Sequence, residues 1–178
     1  MKIQKLIIPE VVLFKPTIYK DKRGFFYESF NKNSFSKLTG IDKNFAQDNH
    51  SKSSFGCLRG LHFQKDPFQQ GKLIRVVRGE IYDVAVDVRK GSKSYGKYVS
   101  AILSAKNKNQ LWIPEGFAHG FLVLSKLAEV IYKTTDFYNP NVECCIRWDD
   151  PTINIKWPFK SGIIVSDKDQ NGILLEGF

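Results

Sequence analysis

The chain has 178 residues, 42% of them apolar and 25% charged, the profile of an ordinary globular domain with length enough for a sizeable core. No apolar run approaches the roughly 20 residues that a membrane-spanning helix needs, and the polar start Met1–Lys5, soon followed by Pro9, is unlike a signal peptide, so a cytoplasmic location is expected. The formal net charge of +9 attracts anions; its lysines are scattered, with no basic helix, zinc finger or RNA-binding aromatic motif, and a diphosphate-bearing small molecule accounts for the charge at least as well as nucleic acid or a membrane surface.

In chain order, residues 3–19 alternate weakly (Ile3, Leu6, Ile8, Val11, Leu13) and carry Pro9 and Pro16, which predicts short edge strands. Asp21-Lys22-Arg23-Gly24 reads as a turn and Phe25–Phe30 as a strand. Residues 31–40 are the best helix candidate, with Asn33 or Ser34 as its cap and Gly40 as its end. A polar stretch from Gln47 to Lys72 follows. At its centre, Arg59-Gly60-Leu61-His62-Phe63-Gln64 alternates, so Leu61 and Phe63 point one way and His62 and Gln64 the other. Such a strand suits the wall of a polar cavity. Taken alone, it suits a surface strand with one solvent-facing histidine equally well.

Leu73–Val77 and Ile81–Val88, joined by Arg78-Gly79-Glu80, read as a hairpin, and Lys97–Leu103 as a further strand between polar turns. Leu111–Ile113 leads into the loop Pro114-Glu115-Gly116-Phe117-Ala118-His119-Gly120, after which Phe121–Leu124 is extended. Glu129–Tyr138 alternates, Asn139-Pro140-Asn141 turns, and Glu143–Trp148 is short and extended. The tail from Asp149 is too punctuated for long helices. Cys57 stands alone and Cys144-Cys145 are adjacent, a spacing that fits neither a disulfide framework nor a zinc knuckle, so all are expected to be reduced and structural. Short strands at about ten-residue spacing, with an aromatic content of 13%, predict an all-β single domain over residues 1–178, a sandwich or barrel.

At Gln47-Asp48-Asn49, Arg59–Gln64, Gln70-Gly71-Lys72-Leu73, Trp112–Phe121 and Tyr132-Lys133 the sequence resembles the dTDP-4-dehydrorhamnose 3,5-epimerases, and the likeness runs from Arg23-Gly24 to Ser166–Asp169. The resemblance implies a cupin-type jelly roll (a double-stranded β-helix) with short N- and C-terminal extensions. It also implies a homodimer in which N-terminal strands pair across the interface. The implied substrate is dTDP-4-dehydro-6-deoxy-D-glucose, inverted at C3 and C5 on the route to dTDP-L-rhamnose, a sugar of cell-surface polysaccharides. No cofactor is implied. Many cupins bind metal through a His-x-His pair, but Gln64 stands where the second histidine would be, so His62 and His119 alone cannot build a three-histidine site.

Inversion beside a ketone needs a base on one face of the sugar ring, an acid on the other, and a positive group at the enolate oxygen. By resemblance His62 is the base, Asp169 orients and charges it, Tyr132 is the acid, and Lys72 stands at the oxyanion. Residues alone leave Tyr132 open as an interface tyrosine and Asp169 as a solvated turn residue. Arg23, Glu28, Gln47, Asn49, Arg59, Glu143 and Lys168 match binding positions, with Arg23 and Glu28 from the neighbouring subunit. His119 is assigned to substrate binding, Tyr138 to stacking on thymine, and His50 to no role. Three alternatives stay open: a single-centre epimerase of a related dTDP-4-keto sugar, a metal-dependent cupin oxygenase, and a non-catalytic sugar-binding jelly roll.

Overall fold

In a computed structural model covering residues 1–178, the regular secondary structure is almost all antiparallel strand. They are β1 (Lys2–Lys5), β2 (Val12–Lys15), β3 (Tyr19–Asp21), β4 (Gly24–Phe26), β5 (Gln47–Ser54), β6 (Leu58–Gln64), β7 (Lys72–Arg78), β8 (Glu80–Asp87), β9 (Tyr98–Ser104), β10 (Gln110–Ile113), β11 (Phe117–Val123), β12 (Leu127–Thr134) and β13 (Glu143–Cys145). One sheet has the order β1-β2-β10-β7-β12-β5 and the other β13-β6-β11-β8-β9, while β3 and β4 form a separate hairpin. The expected jelly roll is the observed fold.

The order corrects one expectation. The strands β7 and β8, adjacent in sequence across Arg78-Gly79-Glu80, are not a hairpin: β7 pairs with β10 and β12, β8 with β9 and β11. The turn at Gly79 therefore carries the chain from one sheet to the other. The reason lies in the inner stripes. Ile74 and Val76 of β7 and Ile81 and Ala85 of β8 all enter one core between the sheets, with Phe117, Phe121 and Val123 of β11 and Ala128 and Val130 of β12. Each strand turns its apolar face toward the opposite sheet instead of lying beside its sequence neighbour.

Both sheets are covered outside as well. The C-terminal segment packs Ile146, Ile153, Ile155 and Trp157 over Leu58, Leu61, Val84, Val86, Ala118 and Leu122 of the five-stranded sheet. Helix α1 (Lys32–Thr39) presses Phe35 on Phe14, Leu73 and Trp112 of the six-stranded sheet. Its cap is Asn31, whose side chain accepts the backbone N–H of Ser34, and not Asn33 or Ser34, which lie inside the helix; Gly40 ends it at φ 75° as expected. With both faces covered, β11 is buried at every position. That double burial abolishes alternation, which is why His119 looked like part of a loop and is in fact mid-strand. The strand expected over Phe25–Phe30 is only β4, and short helix α2 (Asp167–Gln170) closes the tail.

Candidate active site

At one end of the sandwich the inner stripes change from apolar to polar. Lys72 is in phase with Ile74 and Val76 on β7, Tyr132 with Ala128 and Val130 on β12, and Asp83 with Ile81 and Ala85 on β8. On β6, His62 and Gln64 take the same inward face, while Leu61 and Phe63 turn to the outer core, as their alternation predicted. A cavity of about 250 Å³ results, walled by Arg59, His62, Lys72, His119, Tyr132 and Glu143, with Ser51, Phe63, Gln64, Gln70, Phe121 and Tyr138. His62 lies directly across the β6–β11 ladder from His119. The approach of these strands depends on two glycines: a Cβ on Gly60 would stand 2.5 Å from the Gly120 Cα, and one on Gly120 would stand 2.7 Å from the Arg59 carbonyl oxygen.

His62 and Asp169 form a dyad. The His62 Nε2 lies 2.6 Å from the Asp169 Oδ1, and the backbone N–H of Gly60 donates to Oδ2 at 3.1 Å. Asp169 is 3% exposed, so it is no solvated turn residue; Ser166 caps α2 and fixes its place. Burial pushes the Asp169 carboxyl up, but the bonds from His62, Gly60 and Ser166 outweigh it and hold the group below its ordinary value. A carboxylate on Nε2 selects the tautomer with its proton there, leaving Nδ1 as the basic nitrogen.

Opposite, from the other sheet, stands Tyr132, whose ring centroid is 6.5 Å from that of His119. Burial raises its phenol pKa; the Arg59 charge opposes this and Glu143 adds to it. Lys72 is 6% exposed and donates to the His62 carbonyl at 3.0 Å. Burial brings its ammonium down to about 8, against the attraction of Glu143 and Asp83. His119 Nε2 lies 2.7 Å from Asp83 Oδ1. Burial raises the acid and lowers the imidazole, each opposed by its partner, so burial favours the neutral form of this second pair.

The cavity mouth carries other expected binding residues. Glu143 accepts from the Tyr138 hydroxyl at 2.7 Å and from the Lys168 ammonium, and these bonds outweigh the burial that would raise its carboxyl. Gln47 donates to Asn49 at 2.9 Å and accepts from the Tyr138 backbone N–H at 3.1 Å, so this pair borders the cavity without lining it. Arg59 donates to Ser53 at 2.9 Å. Arg23 and Glu28 are elsewhere: Arg23 pairs with Asp21 at 2.6 Å, and Glu28 accepts from Asn31 at 3.0 Å. Neither reaches the chain's own cavity. His50 lies on the outside beside Glu129.

Asp83 was not foreseen, although a carboxylate in phase with Ile81 and Ala85 on a strand was a usable signal. Gln64, expected on the polar face but with no role beyond standing where a metal-binding histidine would be, has a definite task. Its amide donates to the Phe68 and Phe137 carbonyls at 2.6 and 3.1 Å and accepts the Asn139 N–H at 2.7 Å, holding both loops over the cavity. With its carboxamide committed to backbone, Gln64 does not complete a cupin metal set. A wider surface depression of about 800 Å³ beside Ile7, Lys93 and Tyr98 has no histidine in its wall.

Known proteins share the fold and much of the sequence. Residues 5–177 match the family model described as dTDP-4-dehydrorhamnose 3,5-epimerase. The relative of that name from Shigella flexneri is 55% identical over 97% of this chain and 94% of its own length. Among solved structures, the dTDP-6-deoxy-D-glucose-3,5-epimerase of Legionella pneumophila, in complex with dTDP-4-keto-L-rhamnose, superposes at TM-score 0.96 with 48% identity, covering 98% of this chain and 93% of that one. A 3'-monoepimerase of Streptomyces bikiniensis in complex with dTDP-quinovose gives 0.92 at 33% identity, covering 99% and 88%. A family model that matches the chain from residue 5 to 177, and a relative of that name half identical to it from end to end, make this protein a member of the dTDP-4-dehydrorhamnose 3,5-epimerase family.

Proposed function

We propose that the chain is one epimerase domain that inverts C3 and C5 of dTDP-4-dehydro-6-deoxy-D-glucose. The observation that carries this is the placing of His62 on one sheet, held by Asp169 of α2, and of Tyr132 on the other, with Lys72 reaching across to the His62 carbonyl in the same cavity. The C4 ketone acidifies the neighbouring C–H bonds. His62 Nδ1 takes a proton, and Asp169 stabilises the imidazolium. The electron pair moves to the C4 oxygen, where the Lys72 ammonium meets it, mostly charged at neutral pH with its pKa near 8. Tyr132 then returns a proton to the opposite face, and Arg59 supports the phenolate that is left. Every step is a proton transfer, so no redox cofactor is called for.

At about 250 Å³ the enclosed space is near the lower end of ligand pockets, about 300–1,000 Å³, room for a sugar ring but not for its nucleotide too. The diphosphate and thymine then lie along the mouth, beside Arg59, Lys168, Gln47, Asn49 and Tyr138. Arg23 and Glu28 complete the site from a second copy. The hairpin that carries Arg23 projects with Tyr19, Phe25 and Phe26 at 64, 59 and 69% exposure, an apolar surface suited to burial in a homodimer. No helix is long and apolar enough to cross a membrane, which accords with a cytoplasmic place. The Streptomyces relative named a 3'-monoepimerase makes single-centre inversion the second reading.

Proton NMR of the reaction in deuterated water separates the readings. Deuterium at both carbons with inversion supports double epimerisation; at one carbon, the single-centre reading; at neither, another function. In Tyr132→Phe, abstraction continues without the opposing acid, so deuterium should enter recovered substrate with configuration retained. Inversion that keeps pace with exchange at both carbons would exclude Tyr132 as the acid.

A further inference from the structure

Behind the base lies a thiol that the chemistry does not use. Cys145 is on β13, directly opposite His62 in the β13–β6 ladder, and cross-strand partners share a face. Its Sγ is 3.8 Å from the Asp169 Oδ1, which is itself 2.6 Å from His62 Nε2, and the three donor atoms lie within 4.8 Å of one another. Imidazole, thiol and carboxylate are the donors from which zinc sites are made. We infer that His62, Cys145 and Asp169 form an inhibitory site for zinc and similar thiophilic divalent cations.

Zinc bonds of about 2.0–2.3 Å place tetrahedral donors about 3.3–3.8 Å apart. Cys145 and Asp169 already have that spacing. The His62–Asp169 bond must open by about 1 Å to admit the ion, the scale of a side-chain adjustment on a ring that is 27% exposed to the cavity. Binding moves the ring proton from Nε2 to Nδ1, releases one proton from Sγ to solvent, and a water takes the fourth position. Burial and the Asp169 charge push the thiol up to about 12, so occupancy rises with pH. The occupied site is a poor base for two reasons. Asp169 no longer balances an imidazolium, and the metal-bound neutral ring carries its proton on Nδ1, so the lone pair that would take the substrate's proton is gone. The cation is therefore an inhibitor and not a cofactor.

Only the inhibition rests on the epimerase reading; binding rests on the three side chains. Cobalt(II) added to chelator-treated protein should give a thiolate-to-metal charge-transfer band, lost in Cys145→Ala and kept in Cys57→Ala and Cys144→Ala. Zinc titrated into the epimerase assay should abolish turnover of the wild type. Even an outer-sphere partner is worth about 10- to 100-fold in metal affinity, so Cys145→Ala, still active, should need at least about 100-fold more zinc for half-inhibition. A thiolate band that survives Cys145→Ala, a wild-type protein without a band, or equal zinc sensitivity in the two proteins would overturn the inference. A band with no epimerase turnover at all would leave the metal site standing and count against the proposed function.

Discussion

Lys72 offers the sharpest test of the electrostatics, because it is asked to be both buried and charged. Its ammonium is brought from 10.5 down to about 8 by burial, with Glu143 and Asp83 attracting it and no acceptor but the His62 carbonyl bonded to it. At 1.36 kcal/mol per pH unit, the charged form is disfavoured by about 3 kcal/mol relative to water. About nine-tenths of the lysines are still charged at pH 7 and about one-tenth at pH 9. Activity that needs the ammonium at the enolate oxygen should therefore fall about tenfold from pH 7 to pH 9 in kcat/KM, which reports the free enzyme. In kcat the limb should lie higher, since a bound dianionic diphosphate favours the cation. Tyr132, raised by burial, and Cys145, at about 12, do not titrate in this window. Arginine does not lose its proton in this range, so Lys72→Arg, however slow, should lack the limb. Stability supplies a second readout with a definite sign. The folded value is below the unfolded one, so the unfolded chain binds the extra proton between about pH 8 and 10.5, and this group makes folding more favourable as pH rises there. Lys72→Met should be more stable than the wild type at pH 7 and should lose that rise. A limb near pH 8 that persists in Lys72→Arg would refute the assignment.

Three further outcomes follow from the same geometry. His62→Asn and Asp169→Asn should each lower turnover by about a hundred- to ten-thousand-fold with the near-UV circular dichroism retained, and more than a tenth of wild-type activity in His62→Asn would remove it as the base. If Arg23 serves the partner's cavity, mixing inactive Arg23→Ala with inactive His62→Asn and letting subunits exchange should restore about a quarter of wild-type activity, since half the dimers are mixed and each has one intact site; no recovery in verified mixed dimers would place Arg23 outside the site. Gly60→Ala, at φ 119° and with backbone within 2.6 Å of the new Cβ, should cost roughly 2 kcal/mol or more in a urea melt and depress turnover by spreading β6 from β11.

What could be read from sequence depended on the range of the interaction involved. His62 and Gln64 were placed on the cavity side because alternation over six residues is a local property of one strand. Helix α1 was located through Gly40, though its cap moved to Asn31, whose side chain takes the Ser34 N–H. The β7–β8 hairpin failed because a tight turn fixes only that the chain reverses, not which sheet receives the second strand; the inner stripe of both strands decided it. β11 failed differently, since burial on both faces erases the period that marks a strand. The resemblance placed Asp169 beside His62, whereas no periodicity could have joined residues 107 apart. Asp83 was within reach. A lysine in phase with Ile74, a tyrosine in phase with Val130 and an aspartate in phase with Ile81 break the same rule on three strands, and a charge on an inward stripe needs a partner or a function. Such breaks on several strands at the same end of a sandwich converge in space, because antiparallel registers bring them there. His119 opposite His62, with Asp83 one strand further, is that convergence: the jelly roll places at its open end the polar groups that its sealed core cannot hold.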